Sequence, residues 1–162
     1  LKENGSWCGQ THYQKVVYFL QSALEVPLEF PYILYKYGPY SFDLRDEMDS
    51  LEADGLLQSR SSYPYGSTIL PTALGTTLTE SFPKTLGRYG AKISLAAQTL
   101  GKKTVAELEK VVTSLYIRQN CPDAKTPKQK AQRLHEIKPH ISLQEAMEAI
   151  AELEDILIEC HS

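Results

Sequence analysis

A short pattern recurs ahead of the apolar runs of this chain: Ser or Thr, then Glu or Gln three residues later. It stands at Thr11–Gln14, Thr104–Glu107, Thr126–Gln129 and Ser142–Glu145. In such a capping box the hydroxyl accepts from an orphan amide of the first helical turn, and the longer side chain reaches back to the amide of the cap residue. A chain with this many helix starts is committed to a largely helical fold. Apolar residues at helical spacing follow each start. Val16, Val17, Leu20 and Leu24 predict a helix over 12–24, with Pro27 barring continuation. Val105, Leu108, Val112, Leu115 and Tyr116 predict one over 105–119. Pro127, at a first position that needs no amide, opens one to about Ile137. Leu143, Met147, Ile150, Leu153 and Leu157 form a stripe on a last helix over 143–159, which either packs on 105–119 or forms a homodimer seam.

The remaining signals mix helix and strand. Residues 28–37 are aromatic and β-branched around Pro31, which predicts a short edge strand near 32–36, with Gly38-Pro39 turning the chain. Ser41 is placed to cap a helix over 42–54, and Gly55 supplies the left-handed stop. Two strand-like runs, 56–62 and 67–71, flank Tyr63-Pro64-Tyr65-Gly66 and predict a β-hairpin. Ala91–Leu100 predicts a short apolar helix. Helix, strand, helix, hairpin is the order of a winged helix-turn-helix. The expected fold is α+β and mainly helical: a winged-helix-like part with a β-hairpin wing over 1–71, packed against a helical part over 72–162 and sharing one core with it. Leu1–Gly5 reads as a helix end running into a glycine stop, so a further helix is expected ahead of it.

Composition narrows the function. A net charge of −3 and a pI near 5.8 argue against a strongly basic nucleic-acid binder. Cys8, Cys121 and Cys160 are odd in number and lack a Cys-x-x-Cys pair, so neither a disulfide framework nor a cysteine zinc site is expected, and a reducing, cytoplasmic setting is. No apolar run nears the ~18 residues of a membrane span. Dinucleotide, phosphate-loop and nucleophile-elbow motifs are missing from the sequence. His135 and His140 flank Pro139 and share no helical face, and Cys8 and His12 sit at a turn and a cap. No metal, cofactor or catalytic residue is expected.

The run Tyr37-Gly38-Pro39-Tyr40-Ser41, followed by Leu44, Leu51 and Glu52-Ala53-Asp54-Gly55-Leu56-Leu57, together with Thr11–Leu20 upstream, resembles the Panacea domain, the SocA-like antitoxin family with bacterial and archaeal relatives. The resemblance covers 11–57 well and the remainder weakly. It implies a small, mainly helical protein without catalysis, acting by contact with a protein partner that is toxin-like in the family's antitoxins. It carries over no catalytic residues.

Charge separates the partner classes. Segment 42–54 holds Asp43, Asp46, Glu47, Asp49, Glu52 and Asp54 against Arg45 alone. Acids at the position of a recognition helix oppose docking on phosphates. That helix, through Asp46, Glu47 and Asp49, and the wing-tip pair Tyr63 and Tyr65 are therefore the candidate surface for a basic protein partner. The alternative is a winged-helix DNA-binding regulator using Arg60 on the wing with Lys125, Lys128, Lys130 and Arg133, a basic stretch that also includes Lys138 and reads equally as a solvated helix face.

Overall fold

In a computed structural model, residues 1–62 and 66–160 are described. The fold is α+β and mainly helical. A 3-10 turn at Lys2–Asn4 ends on Gly5 at φ +76°, and α1 follows over Gln10–Ser22. Then come β1 (Ile33–Tyr35), β2 (Gly38–Tyr40), α2 (Phe42–Ala53), β3 (Leu57–Ser62) and β4 (Gly66–Pro71). The remainder is α3 (Ala73–Glu80), α4 (Pro83–Leu100), α5 (Val105–Asn120), α6 (Pro127–Ile137) and α7 (Leu143–Cys160).

Three of the capping boxes form as the sequence predicts. Thr104 and Glu107 bond reciprocally at the start of α5, and Thr126 and Gln129 at the start of α6. Ser142 and Glu145 do the same at α7, at 2.9 and 3.2 Å. The fourth does not. α1 begins at Gln10 with Gly9 as its cap and no side-chain cap bond, because Gln14 is directed elsewhere. Ser41 caps α2, accepting from Leu44 N at 3.2 Å, and Gly55 takes φ +74° beyond its end.

The strands pair as two separate antiparallel ribbons, β1 with β2 and β3 with β4. The expected edge strand is thus one arm of its own hairpin, and Gly38-Pro39 is strand rather than turn; the chain reverses at Lys36-Tyr37. A two-residue loop closing on the pair Tyr35↔Gly38 leaves Leu34↔Pro39 as a non-hydrogen-bonded pair, so the missing Pro39 amide costs no ladder bond. The wing ribbon runs in register from Leu57↔Pro71 to Ser62↔Gly66. Between 71 and 91 the chain is more helical than its Thr, Gly and Ser content suggests. Thr72 caps α3 by accepting from Gly75 N at 3.1 Å, and Pro83 starts α4 eight residues before the expected Ala91.

α5 is the axis of the molecule. Its Leu108, Val111, Val112 and Leu115 join Phe19 and Leu20 of α1, Ala96 and Leu100 of α4, and Leu153 and Ile156 of α7 in one core cluster. Its Ile117 joins Ala131 and Leu134 of α6 and Ala146, Ala149 and Ile150 of α7 in a second. α7 therefore covers α5 and α6 from the inside, and Leu143 and Met147, two members of its expected stripe, remain exposed. Among the described residues, no helix is long and apolar enough to cross a membrane.

Candidate functional site

The residues carrying the family resemblance come together where α1 crosses the β1–β2 hairpin and the start of α2. Gln14 is fully buried; its amide nitrogen donates to Ser41 O at 2.8 Å, and its amide oxygen accepts from Ser41 N at 2.8 Å. Position N3 of α2 is Leu44, which cannot reach back to the cap amide. Gln14 performs that half of the capping box from another helix. Next to it, Lys15 Nζ donates to Pro39 O at 2.7 Å, on the outward side of the ribbon.

A charged cluster lies beneath. Glu109 of α5 and Lys138, just past α6, are both buried, with Lys138 Nζ 3.0 Å from Glu109 Oε1. Lys138 aims its N–H groups at the carbonyls of Tyr35, at 2.9 Å, and Lys36, so its contact with Glu109 is one of charge rather than an aligned hydrogen bond. His140 Nε2 lies 3.3 Å from Glu109 Oε2. Burial pulls the Lys15 ammonium down to about 8, against the attraction of Glu109 and aided by the neighbouring charge of Lys138. The hairpin sits close on this cluster. Gly38 has φ +89°, and a Cβ there would lie 2.5 Å from Thr113 Oγ1 of α5. Thr113 Oγ1 is itself buried without a hydrogen-bond partner.

This frame holds an exposed aromatic face. Tyr35, Tyr40 and Phe42 form a mutually packed trio with ring centroids 5.5, 5.7 and 5.1 Å apart. Tyr35 and Phe42 nevertheless stay 45% and 40% exposed, and Tyr37 and Ile33 beside them are exposed too. Along α2 the trio continues into carboxylates. Asp43, Asp46, Glu47, Asp49 and Glu52 all face solvent. Arg45 pairs with Asp46 at 2.6 Å and lies over the Phe42 ring, 5.2 Å from its centroid. Glu52 accepts from Ser59 N at 3.0 Å, tying α2 to the wing.

The sequence-selected residues divide accordingly. Asp46, Glu47 and Asp49 lie together on the open side of α2. Tyr63 and Tyr65 fall outside the described residues; the aromatic surface that the structure shows is the one built from β1, β2 and the first turn of α2. The basic set is not one surface. Arg60 belongs to β3, which packs on β4 and α2, whereas the helix carrying Lys128, Lys130 and Arg133 packs on α5 and α7. Lys130 pairs with Glu154 at 3.4 Å and Arg133, itself exposed, with Glu136 at 3.4 Å, while Lys125, Lys128 and Arg60 are exposed as well. Lys138 is inside the molecule, which corrects its placement in a solvent-facing stretch. His12 is also buried, with Nε2 3.1 Å from Lys103 O, rather than at a surface cap.

Sequence reasoning missed the buried cluster. One signal was present: Lys15 interrupts the apolar run of α1 next to Val16 and Val17, on the side that faces the core. Glu109 and Lys138 carry no local mark of burial. Among the described residues, no group of three or more His, Cys, Asp or Glu is placed to hold a metal ion. An open depression of about 480 Å³ lies beside His12 at the α4–α5 junction, bordered by Gly101, Lys102, Lys103 and Val105. Its Lys103 is engaged by Glu152 of α7. Compared with known proteins, the chain matches no family model and no curated sequence.

Proposed function

We propose that this chain is a non-enzymatic protein-interaction module, an antitoxin-like regulator, whose acidic and aromatic face binds a basic protein partner. The observation that carries this reading is the solvent exposure of Tyr35, Tyr37 and Phe42 beside a helix whose five acids meet one base, Arg45. Aromatic side chains supply large contact area at low entropic cost, and an excess of acids around them selects for positive charge and speeds encounter. The resemblance to the Panacea domain supports the same reading, since the two stretches that carry it, 11–20 and 37–57, are locked to each other by Gln14 and Lys15. The free thiols Cys8, Cys121 and Cys160 suit a reducing cytoplasm.

The test is capture of the partner from the native cell with nuclease treatment, followed by charge reversal. Asp46→Lys, Glu47→Lys and Asp49→Lys together should weaken a captured basic partner about tenfold or more at low salt. An unchanged affinity would sink the proposal. Tyr63→Ser and Tyr65→Ser in the same assay report whether the wing tip contributes. A duplex-binding regulator is the alternative, and it leans on Arg60, Lys125, Lys128, Lys130 and Arg133. Duplex binding with a steep salt slope would support it.

A further inference from the structure

We propose that the elbow between α3 and α4 docks on the acidic, aromatic face of a second copy of this chain, reciprocally, so that self-association covers the partner surface. Residues 76–88 are all exposed, an arm formed by the end of α3 and the start of α4. The arm nonetheless carries large apolar side chains: Leu78, Phe82 and Leu86 are 43%, 56% and 38% exposed. With Thr79 and Thr85 they line an open notch of about 290 Å³ at the elbow. Two further cations stand on the same arm. α4 contains Lys84, Arg88 and Lys92 and no acid, and the arm's one acid is Glu80 at the end of α3. Lys92 is used within the fold, donating to Leu24 O, while Lys84 and Arg88 are exposed. The elbow is therefore an apolar notch whose border is net positive, Lys84 and Arg88 outnumbering Glu80.

Its complement is an aromatic projection with a negative border, and this chain displays one. Tyr35 and Phe42 project beside Asp43 and Glu47, with Asp46 paired to Arg45 on the same turn. The other strongly acidic helix, α7, is a poorer match. Its Glu145, Glu152 and Glu154 are already paired with Lys110, with Lys103, and with Arg118 and Lys130. Both the elbow and the α2 face are exposed within one copy, so neither covers the other there. A single elbow-to-face contact between copies would propagate as a filament; two exchanged contacts about a two-fold axis close the assembly as a dimer. The inference rests on the reading of α2 as a contact face, and it adds that partner and second copy compete for it.

The experiment measures mass in solution by sedimentation and light scattering, from low to high micromolar protein, at low and high salt. The wild-type chain should dimerise, and more weakly as salt rises. Phe82→Asp should raise the dissociation constant about thirtyfold or more. Lys84→Glu with Arg88→Glu (arm-reversed), and separately Asp43→Lys with Glu47→Lys (face-reversed), should each leave a monomer. All of these side chains are exposed, and circular dichroism checks that each variant folds; if Phe82→Asp does not, the charge-reversed pair carries the test. Mixed together, the arm-reversed and face-reversed chains should form a heterodimer, because reversed meets reversed at one contact and native meets native at the other. A wild-type monomer at every concentration overturns the proposal. So does a dimer indifferent to the arm substitutions, a pair of variants that fails to recombine, or a monomer that binds anionic vesicles through the arm. The two readings fail separately. A basic partner captured through Asp46, Glu47 and Asp49 by a strictly monomeric chain sinks self-docking alone. A recombining dimer with no basic partner sinks the partner reading alone.

Discussion

Gly38 does two things that no other residue can do at its position. It adopts φ +89°, where a side chain is strained, and it lets the hairpin approach Thr113 to within a distance a Cβ would violate. Gly38→Ala should therefore cost about 2–4 kcal/mol in urea denaturation. Adding Thr113→Ala should return the steric part and leave the backbone part. His12 gives a different kind of prediction. Burial lowers its pKa from the ordinary 6.5, so the fold prefers the neutral ring, while the hydrogen bond at Lys103 O opposes the shift only in part. A depressed pKa means that the unfolded chain binds the extra proton first. The stability His12 contributes is whole above pH 6.5 and drains away as pH falls from there toward the folded value. Denaturation at pH 7 and pH 5 should show this slope. His12→Asn, which retains a donor, should flatten it, and carboxylates such as Glu107 and Glu145 titrate lower and do not obscure the window.

Among the elements, α2 differs from α5, α6 and α7 in how it is started. The latter three carry both halves of their capping boxes within four residues, whereas α2 borrows one half from Gln14 of α1. Loss of a local cap costs about 1 kcal/mol. Gln14→Ala should cost more, about 2–3 kcal/mol, because it orphans the buried N–H of Ser41 and leaves Ser41 O with the amide of Arg45 alone. It should also loosen the aromatic face, seen as faster amide exchange at 41–44 than a cap variant such as Thr126→Ala produces at 126–129. The end of α6 is a second joint. Lys138→Met removes the closest counter-charge of buried Glu109, and this should cost about 3–5 kcal/mol, whereas Glu109→Met with Lys138→Met should recover much of it. Most helices were legible in the sequence because capping and 3.6-residue periodicity act within one or two turns. The 71–91 stretch was not, because Thr72 and Pro83 are weak starts ahead of side chains that point into solvent. The β1–β2 ribbon was half legible: Gly-Pro signals a reversal, and the proline was tolerated only because its pair falls on the unbonded register.

At the scale of the whole molecule, the two core clusters meet along α5 and α7, and the first draws residues from both sides of the 71/72 junction. Phe19→Ala in one and Leu134→Ala in the other should each cost about 2–5 kcal/mol and shift one common unfolding transition, followed by helix content and by tyrosine fluorescence. Two separate transitions would mean that α5 does not couple them. Helical class, the acidity of α2 and the capping boxes of α5, α6 and α7 were determined by the sequence alone, since each depends on residues a few positions apart. Tertiary structure decided where Gln14 spends its amide, that Lys138 is buried rather than part of a basic face, and that Tyr35 and Phe42 stay in solvent beside the acids of α2. The bonds behind these outcomes join residues 27 and 103 positions apart, from Gln14 to Ser41 and from Lys138 to Tyr35. Local pattern carries no record of such partners, because side-chain chemistry states what a group can bond and only the packed chain states what lies within its reach.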